Sequence, residues 1–205
     1  MHIPDGFLNL TTTVATTGIT LGALVPAVRK VNRSLSPKRV PLMGLSAAFV
    51  FTAQLLSFPV PGGTSVHLVG AVLISILLGP YTGLIITTTA LIMQALLFQH
   101  GGLFSLGANI LNMGVTGCLL GYGLFRILPG NLSFRAAVPA LIMTVLSGVF
   151  CALELGFSGT TPFKTGLPAM TIAATITGVV EAIATVSILS LLGKVRPDLL
   201  KLEKV

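Results

Sequence analysis

Three histidines are the side chains in this sequence best suited to binding a transition metal, and none lies in the middle of an apolar run. His2 is at the amino-terminal end, His67 follows the stretch PVPGGTSV, and His100 stands in FQHGG. Neutral imidazole is the commonest protein ligand for transition metals. The histidines therefore predict a nitrogen-rich metal site, provided that the fold brings them to one face.

The opening residues MHIPDG predict a chelating terminus. The α-amine of Met1, the amide nitrogen of His2 and the imidazole of His2 would close adjacent five- and six-membered chelate rings on one ion. Three nitrogens in a near-planar arc need a fourth donor. A square-planar or tetragonal site of four nitrogens suits Ni²⁺ or Cu²⁺ better than Zn²⁺, which prefers a tetrahedron. The alternative interpretation is that His2 is an ordinary polar residue at a solvated terminus.

His67 is the candidate for the fourth nitrogen. Pro59 and Pro61 exclude a regular helix before it, so we expect an irregular loop at membrane depth. Such a loop is tolerated only where protein buries it or where it lines a cavity. Thr64 and Ser65 are expected to cap the helix that begins at His67. The alternative is a histidine at the membrane interface that is hydrogen-bonded to water.

Further polar residues follow the next apolar run. His100 precedes a Gly-Gly turn, and Asn109 and Asn112 are three residues apart, so they are neighbours on a helix surface. Amides within membrane helices usually bond across helices, and metal-bound imidazoles need a partner that orients them. We expect His100, Asn109 and Asn112, with Thr64 and Ser65, to orient the ligands or to control access of the ion. Helix packing alone is an equal alternative for the two amides.

Two carboxylates, Glu154 and Glu181, lie within apolar runs, as do Gln54 and Gln94. A carboxylate at bilayer depth raises a functional hypothesis by default. No acid–base pair can be assembled from these two positions, so a structural carboxyl that is hydrogen-bonded across helices is favoured, and no catalytic residue is predicted. The alternative function is an intramembrane metal-dependent enzyme that uses His100 with Glu154 or Glu181.

The elements that must position these residues are membrane helices. Of the 205 residues 53% are hydrophobic and only 8% are charged, against about 25% in a typical soluble domain. The net charge of +7 does not indicate nucleic-acid binding, because the basic residues fall between apolar segments rather than on a soluble patch. Cys118 and Cys151 lie inside apolar runs and are expected to be small buried hydrophobic residues.

The fold class predicted is an all-α polytopic membrane helix bundle of about seven transmembrane helices. Alternating spans place every Lys and Arg except Lys164 on one face, which makes that face cytoplasmic and the amino terminus external. The third apolar run is short enough to be a short or tilted span. The predicted spans are 8–28, 40–57, 66–79, 81–98, 106–127, 134–156 and 168–193.

One membrane-embedded domain over residues 1–205 is predicted. It comprises an external metal-binding segment (1–7), the bundle (8–193) and a basic cytoplasmic tail (194–205). The positive charges follow the first apolar run instead of preceding it, so this run is expected to be an uncleaved anchor and not a signal peptide. The phosphate-binding pattern G-x-x-x-x-G-K-[ST] is absent from the sequence, so any ATPase would be a partner.

The segments MHIPDGF, PGGTSVHLVG and FQHGGLFSLGANILNMG resemble the substrate-binding membrane component of the CbiM/NikM family of cobalt/nickel energy-coupling-factor transporters. The resemblance implies that Ni²⁺ or Co²⁺ is bound as transported substrate by the Met1 amine, the amide and imidazole nitrogens of His2, and His67, with no organic cofactor. It also implies a prokaryotic cell membrane, a transmembrane coupling protein, two cytoplasmic ATPases and often a small accessory membrane protein. A vitamin-binding member of the same architecture is less favoured, because the chain has two tyrosines and no tryptophan to line a pocket.

Overall fold

Helices form nearly all of the regular structure. The computed structural model describes residues 2–37, 39–55, 57–60 and 64–198, except for the side chains of 57–60 and 64–66. The class predicted, an all-α bundle, is confirmed, with one short hairpin as an addition. Within the described residues the helices are α1 Leu10–Ser34, α2 Arg39–Leu55, α3 Ala71–Leu78, α4 Pro80–Phe98, α5 Leu106–Ile127, α6 Leu132–Phe157 and α7 Phe163–Val195.

The helix ends follow local chemistry. Asn9 accepts a hydrogen bond from the Thr12 amide at 2.8 Å and so begins α1, and Asn131 begins α6 in the same way. Pro26 and Pro168 lie inside α1 and α7. The predicted ends at 28 and 168 were therefore each several residues short, because membrane helices tolerate proline where neighbouring groups satisfy the freed backbone.

Five helices, α1, α4, α5, α6 and α7, are long and apolar enough to cross a membrane. The chain is accordingly a multi-pass membrane protein, whereas the count of seven spans and the orientation of the ends remain predictions. Lys30 lies over the ring of Tyr81 at 4.5 Å, at the opposite end of α1 from His2. This contact connects the basic carboxy-terminal part of α1 to the start of α4.

The third predicted span, 66–79, contains a helix that is much shorter than the predicted bounds. The helix is α3, with eight residues, and its length of about 12 Å is far below the hydrocarbon thickness. Its first six residues are all buried, and α2, α4, α5, α6 and α7 pack around it. A helix that is apolar all round and covered on every side is a core element, so α3 lies inside the bundle and not on its surface.

The segment before α3 is a β-hairpin. Strand β1, Ser57–Val60, pairs antiparallel with β2, Thr64–His67, and Ser57 lies opposite His67. The expectations of an irregular loop, of a second span reaching residue 57 and of a helix beginning at His67 were wrong. Thr64 and Ser65 are strand residues and not helix caps, and Gly70 is the residue that precedes α3. Strand pairing gives the backbone hydrogen bonds that a loop at this depth would lack.

The middle of α5 is wider than an α-helix. Residues Ile110–Leu120 are π-helical, between α-helical ends at Leu106–Asn109 and Gly121–Ile127. Such segments are rare and are often found at functional sites. Asn109 is the last residue before this segment and Asn112 is its third residue, and the two amides bond to different neighbours, Ile3 and Glu154.

Candidate metal centre

The structure brings the three histidines together. The centroid of the His2 ring lies 4.7 Å from that of His67 and 4.3 Å from that of His100, and the His67 and His100 centroids are 6.1 Å apart. These residues come from the amino-terminal segment, the end of β2 and the turn after α4. The clustering of imidazoles from three distant parts of the chain identifies this end of the bundle as the candidate site.

The imidazole of His2 has a defined hydrogen-bonding state. Its Nε2 lies 2.9 Å from Oε1 of Gln94, whose Nε2 in turn donates to the Phe51 carbonyl at 3.4 Å. Because Gln94 thus presents its oxygen, His2 donates through Nε2–H and carries its lone pair on Nδ1. The buried Nδ1 has no hydrogen-bond partner among the described residues. This nitrogen is the one that a chelate with the amide of His2 would use.

His67 is almost wholly buried, with 2% of its surface exposed. Its Nδ1 donates to the Leu68 carbonyl at 3.0 Å, since a carbonyl can only accept, so the lone pair of this ring is on Nε2. The next residues are held from two sides. Glu181 accepts from the amides of Val69 and Gly70 at 2.7 and 2.6 Å, and Gln54 donates to the Val69 carbonyl at 2.8 Å.

The amino-terminal segment is fixed by a side-chain amide. Oδ1 of Asn109 accepts from the Ile3 amide at 2.8 Å, and its Nδ2 donates to the Ile3 carbonyl at 3.1 Å. The same carbonyl also accepts from the Gly102 amide at 2.9 Å. Ile3 is only 1% exposed and packs with Ala108 and Cys151, so the residue after His2 anchors the segment in the bundle.

Asp5 joins the segment to the turn before α5. Its carboxylate accepts from the amides of Leu103 at 2.9 Å, Phe104 at 2.8 Å and Ser105 at 3.2 Å. Acceptance of amide protons at a helix start is favourable for a carboxylate. A Cβ at Gly102 would lie 1.9 Å from Oδ1 of Asp5, so this close approach requires glycine.

Burial makes the histidines neutral. Removal from water lowers the pKa of His2 to about 3 and lowers the pKa of His67 well below the usual value. Burial also lowers the pKa of the more exposed His100. Neutral imidazole is the form that binds metal, so these rings are ready to act as ligands at physiological pH.

Not every predicted site residue lies at this centre. Met1 lies outside the described residues, as do the side chains of Thr64 and Ser65, so these predictions stay open. Asn109 is brought to the site, through Ile3. Asn112 instead donates to Glu154 at 2.7 Å, between α5 and α6.

Sequence reasoning did not assign Gln94, Asp5, Gln54 or Glu181 to the site. A signal existed for three of them, because a buried amide or carboxylate in a membrane helix marks a partner across the bundle. Asp5 carried no such signal. Glu154 is hydrogen-bonded across helices as expected, whereas Glu181 binds backbone amides of the segment before α3. Among the described residues, neither is hydrogen-bonded to His100.

Side chains alone do not complete a metal site here. Among the described residues, no three His, Cys, Asp or Glu side chains form a group that could hold an ion. An enzyme-like metal site made from His100 and the carboxylates is not formed.

Residues 2–199 match the family model described as CbiM, cobalt uptake substrate-specific transmembrane region. The cobalt transport protein CbiM of Geobacter sulfurreducens is 37% identical, and the match covers 98% of this chain and 61% of the relative. The fused nickel transport protein NikMN of Rhodobacter capsulatus is 32% identical, over 98% of this chain and 64% of the relative. This chain thus spans less than two thirds of those two relatives. A crystal structure of a transition metal transporter superposes with a TM-score of 0.88 at 35% identity, covering 95% of this chain and 93% of that one.

Proposed function

Because this chain belongs to the CbiM family of cobalt uptake transmembrane proteins, we propose that it binds a single Ni²⁺ or Co²⁺ ion at the histidine cluster and delivers it for uptake. Its named relatives are cobalt and nickel transport proteins and not enzymes. The proposed donors are the α-amine of Met1, the amide and Nδ1 of His2, and Nε2 of His67. The ion is the transported substrate, and no organic cofactor takes part.

The observation that carries the proposal is the state of His2. A buried imidazole nitrogen without a hydrogen-bond partner is costly unless it has a ligand. Gln94 fixes the tautomer that leaves Nδ1 as the acceptor. Nδ1 and the amide nitrogen of a histidine can close a six-membered chelate ring on one ion, so the lack of a hydrogen-bond partner for Nδ1 among the described residues supports its proposed role as a donor.

The donor set favours metals that accept planar nitrogen coordination. Four nitrogens, two of them from adjacent backbone positions, approach a square, which suits Ni²⁺ and leaves axial positions that Co²⁺ can use. Deprotonation of an amide is part of such binding, so the ion must compete with protons. His100, whose ring lies beside that of His2 and is partly exposed, is proposed to control access from the outside.

Transport is proposed to need an energy-coupling-factor assembly. The sequence has no phosphate-binding loop of its own, so a transmembrane coupling protein and two cytoplasmic ATPases would supply the energy. A small accessory membrane protein would complete the complex. We place the assembly in a prokaryotic cell membrane, with the histidines outside and the basic end in the cytoplasm.

An amino-terminal extension tests the proposal. Two residues added before Met1 remove the α-amine from the chelate, and Ni²⁺ binding measured by calorimetric titration should be lost. His2→Ala and His67→Ala should each strongly reduce the Ni²⁺ affinity. The control for the extension is the same two residues added after Val205. Wild-type affinity in the amino-terminally extended protein would contradict the proposed coordination.

A further inference from the structure

We infer that Glu181, in the middle of α7, is a positioning residue that sets the orientation of His67 at the metal centre. The inference rests on the proposed function, because it assumes that His67 is a ligand. Its evidence is separate, however, and concerns the peptide units that follow His67. Glu181 would act through the backbone amides that it binds, those of Val69 and Gly70.

The connection runs through one rigid peptide. Oε2 of Glu181 accepts from the Val69 amide at 2.7 Å, and the carbonyl of the same peptide unit belongs to Leu68. That carbonyl accepts Nδ1–H of His67 at 3.0 Å. Because a peptide unit is planar, a carboxyl that holds its N–H also fixes the direction of its C=O. Glu181 therefore sets the acceptor that determines both the tautomer and the tilt of the His67 ring.

The second oxygen of Glu181 strengthens this hold. Oε1 accepts from the Gly70 amide at 2.6 Å, and Gly70 precedes α3 in a left-handed conformation with φ of 72°. Gly70 has no side chain to cap α3. The carboxyl group from α7 therefore accepts at the start of α3, where a negative group is stabilised by the helix dipole. Two backbone donors on one carboxyl leave it little freedom to rotate.

Other contacts confine the same segment. Gln54 holds the Val69 carbonyl at 2.8 Å from the side of α2, and strand pairing holds His67 opposite Ser57. Glu181 and Val69 are 2% and 5% exposed, so water cannot replace the carboxyl readily. A carboxyl–peptide–imidazole chain of this kind has the role that carboxylate partners have for metal-bound histidines elsewhere.

Glu154 provides a matched control. It is also a buried glutamate, in the neighbouring helix α6, and it also accepts a hydrogen bond across helices. Its donor is the side chain of Asn112, and no hydrogen bond among the described residues connects this pair to a peptide next to a histidine. Replacing either glutamate by glutamine exchanges one oxygen for NH₂ in a buried site, so general destabilisation should be similar in the two variants.

The test compares Glu181→Gln with Glu154→Gln in the full-length protein in detergent. Calorimetric Ni²⁺ titration should show affinity lowered about 10- to 100-fold in Glu181→Gln, the range seen for partners of metal ligands. Glu154→Gln should bind as the wild type does. The visible absorption spectrum of the Ni²⁺-loaded protein should shift only in Glu181→Gln, and the ¹⁵N shifts of His67 without metal should show loss of the Nδ1–H tautomer.

Three outcomes would overturn the inference. They are wild-type affinity and spectrum in Glu181→Gln, equal losses in both glutamine variants, and an unchanged His67 tautomer. If Glu181→Gln does not fold, Glu181→Asp keeps the charge but is one methylene too short to reach both amides, and it is judged by the same measurements. Normal binding in His67→Ala would instead contradict the proposed function, so the two failures are distinguishable.

Discussion

Asn109 forms a two-way hydrogen bond with Ile3, accepting from its amide at 2.8 Å and donating to its carbonyl at 3.1 Å. The side-chain amide of Asn109 thus pairs with both the N–H and the C=O of one residue, as the backbone of a neighbouring strand would. The residue it holds is the one next to His2, so the metal centre depends on a contact between residues 106 positions apart.

Asn109→Asp should weaken both the fold and the site. It keeps an acceptor but loses the donor to Ile3, and it places a carboxyl group against a carbonyl in a buried position. An unsatisfied buried group costs about 1–3 kcal/mol, which should lower the melting temperature and the Ni²⁺ affinity together. Asn131→Asp is the control, because aspartate caps a helix as well as asparagine does. Equal effects in the two variants would contradict the prediction.

Gln94→Leu should lower Ni²⁺ affinity about 10- to 100-fold, because His2 loses the acceptor that fixes its tautomer. Calorimetric titration measures this directly. Gln94→Glu keeps an oxygen towards His2 and should retain most of the affinity. If the leucine variant binds as the wild type does, the tautomer of His2 is not set by Gln94.

Gly102→Ala should displace the amino-terminal segment. The new Cβ would lie 1.9 Å from Oδ1 and 2.4 Å from the backbone nitrogen of Asp5, and the backbone cannot move aside as a flexible side chain can. We expect a lower melting temperature and loss of metal binding. Gly123→Ala is the control, since nothing lies within 4 Å of its Cβ position, and it should be neutral or slightly stabilising in a helix.

The stability of the metal-free protein should decrease as the pH is lowered, because of His2. Its folded-state pKa of about 3 is below the unfolded value near 6.5, so the unfolded chain binds more protons between these limits. Stability is therefore complete above pH of about 6.5 and is lost as pH falls towards 3. Melting temperatures measured from pH 7 to pH 4 should decline, and the decline should be smaller in His2→Asn.

As the pH is lowered, the Ni²⁺ affinity should decrease before the stability of the metal-free protein does. The imidazoles remain neutral well below pH 6.5, whereas an α-amine titrates near pH 7.7–8.0 in model peptides. If the Met1 amine is a ligand, Ni²⁺ affinity should already decrease from pH 8 to pH 6, where the metal-free fold is intact. A flat profile over that interval would exclude the amine as a donor.

The sequence predicted the helical class and the histidine cluster because both depend on local composition. Apolar runs identify membrane helices, and polar residues at their ends identify one face. The sequence did not predict the short length of α3 or the strands before it, because tertiary environment decides both. The burial of α3 depends on the helices around it, and the residues before His67 pair as strands only because a partner strand lies beside them.

The contacts around the centre could not be predicted for a related reason. Gln94, Asp5 and Glu181 act on residues up to 92, 100 and 112 positions away, and sequence spacing carries no information on such pairs. The polarity of Gln94 and Glu181 within apolar runs indicated that partners existed. Only the fold shows that those partners are His2 and the peptides after His67.

The bonds of Ile3 and Phe7 also govern the order in which the molecule can be assembled. The Ile3 amide donates to Asn109, and the Phe7 carbonyl accepts from the hydroxyl of Thr160, just after α6. Both contacts join the segment before α1 to residues much later in the sequence. Closing such long loops is entropically costly and comes late in folding. We therefore expect the ion site to form only after the bundle around it has formed.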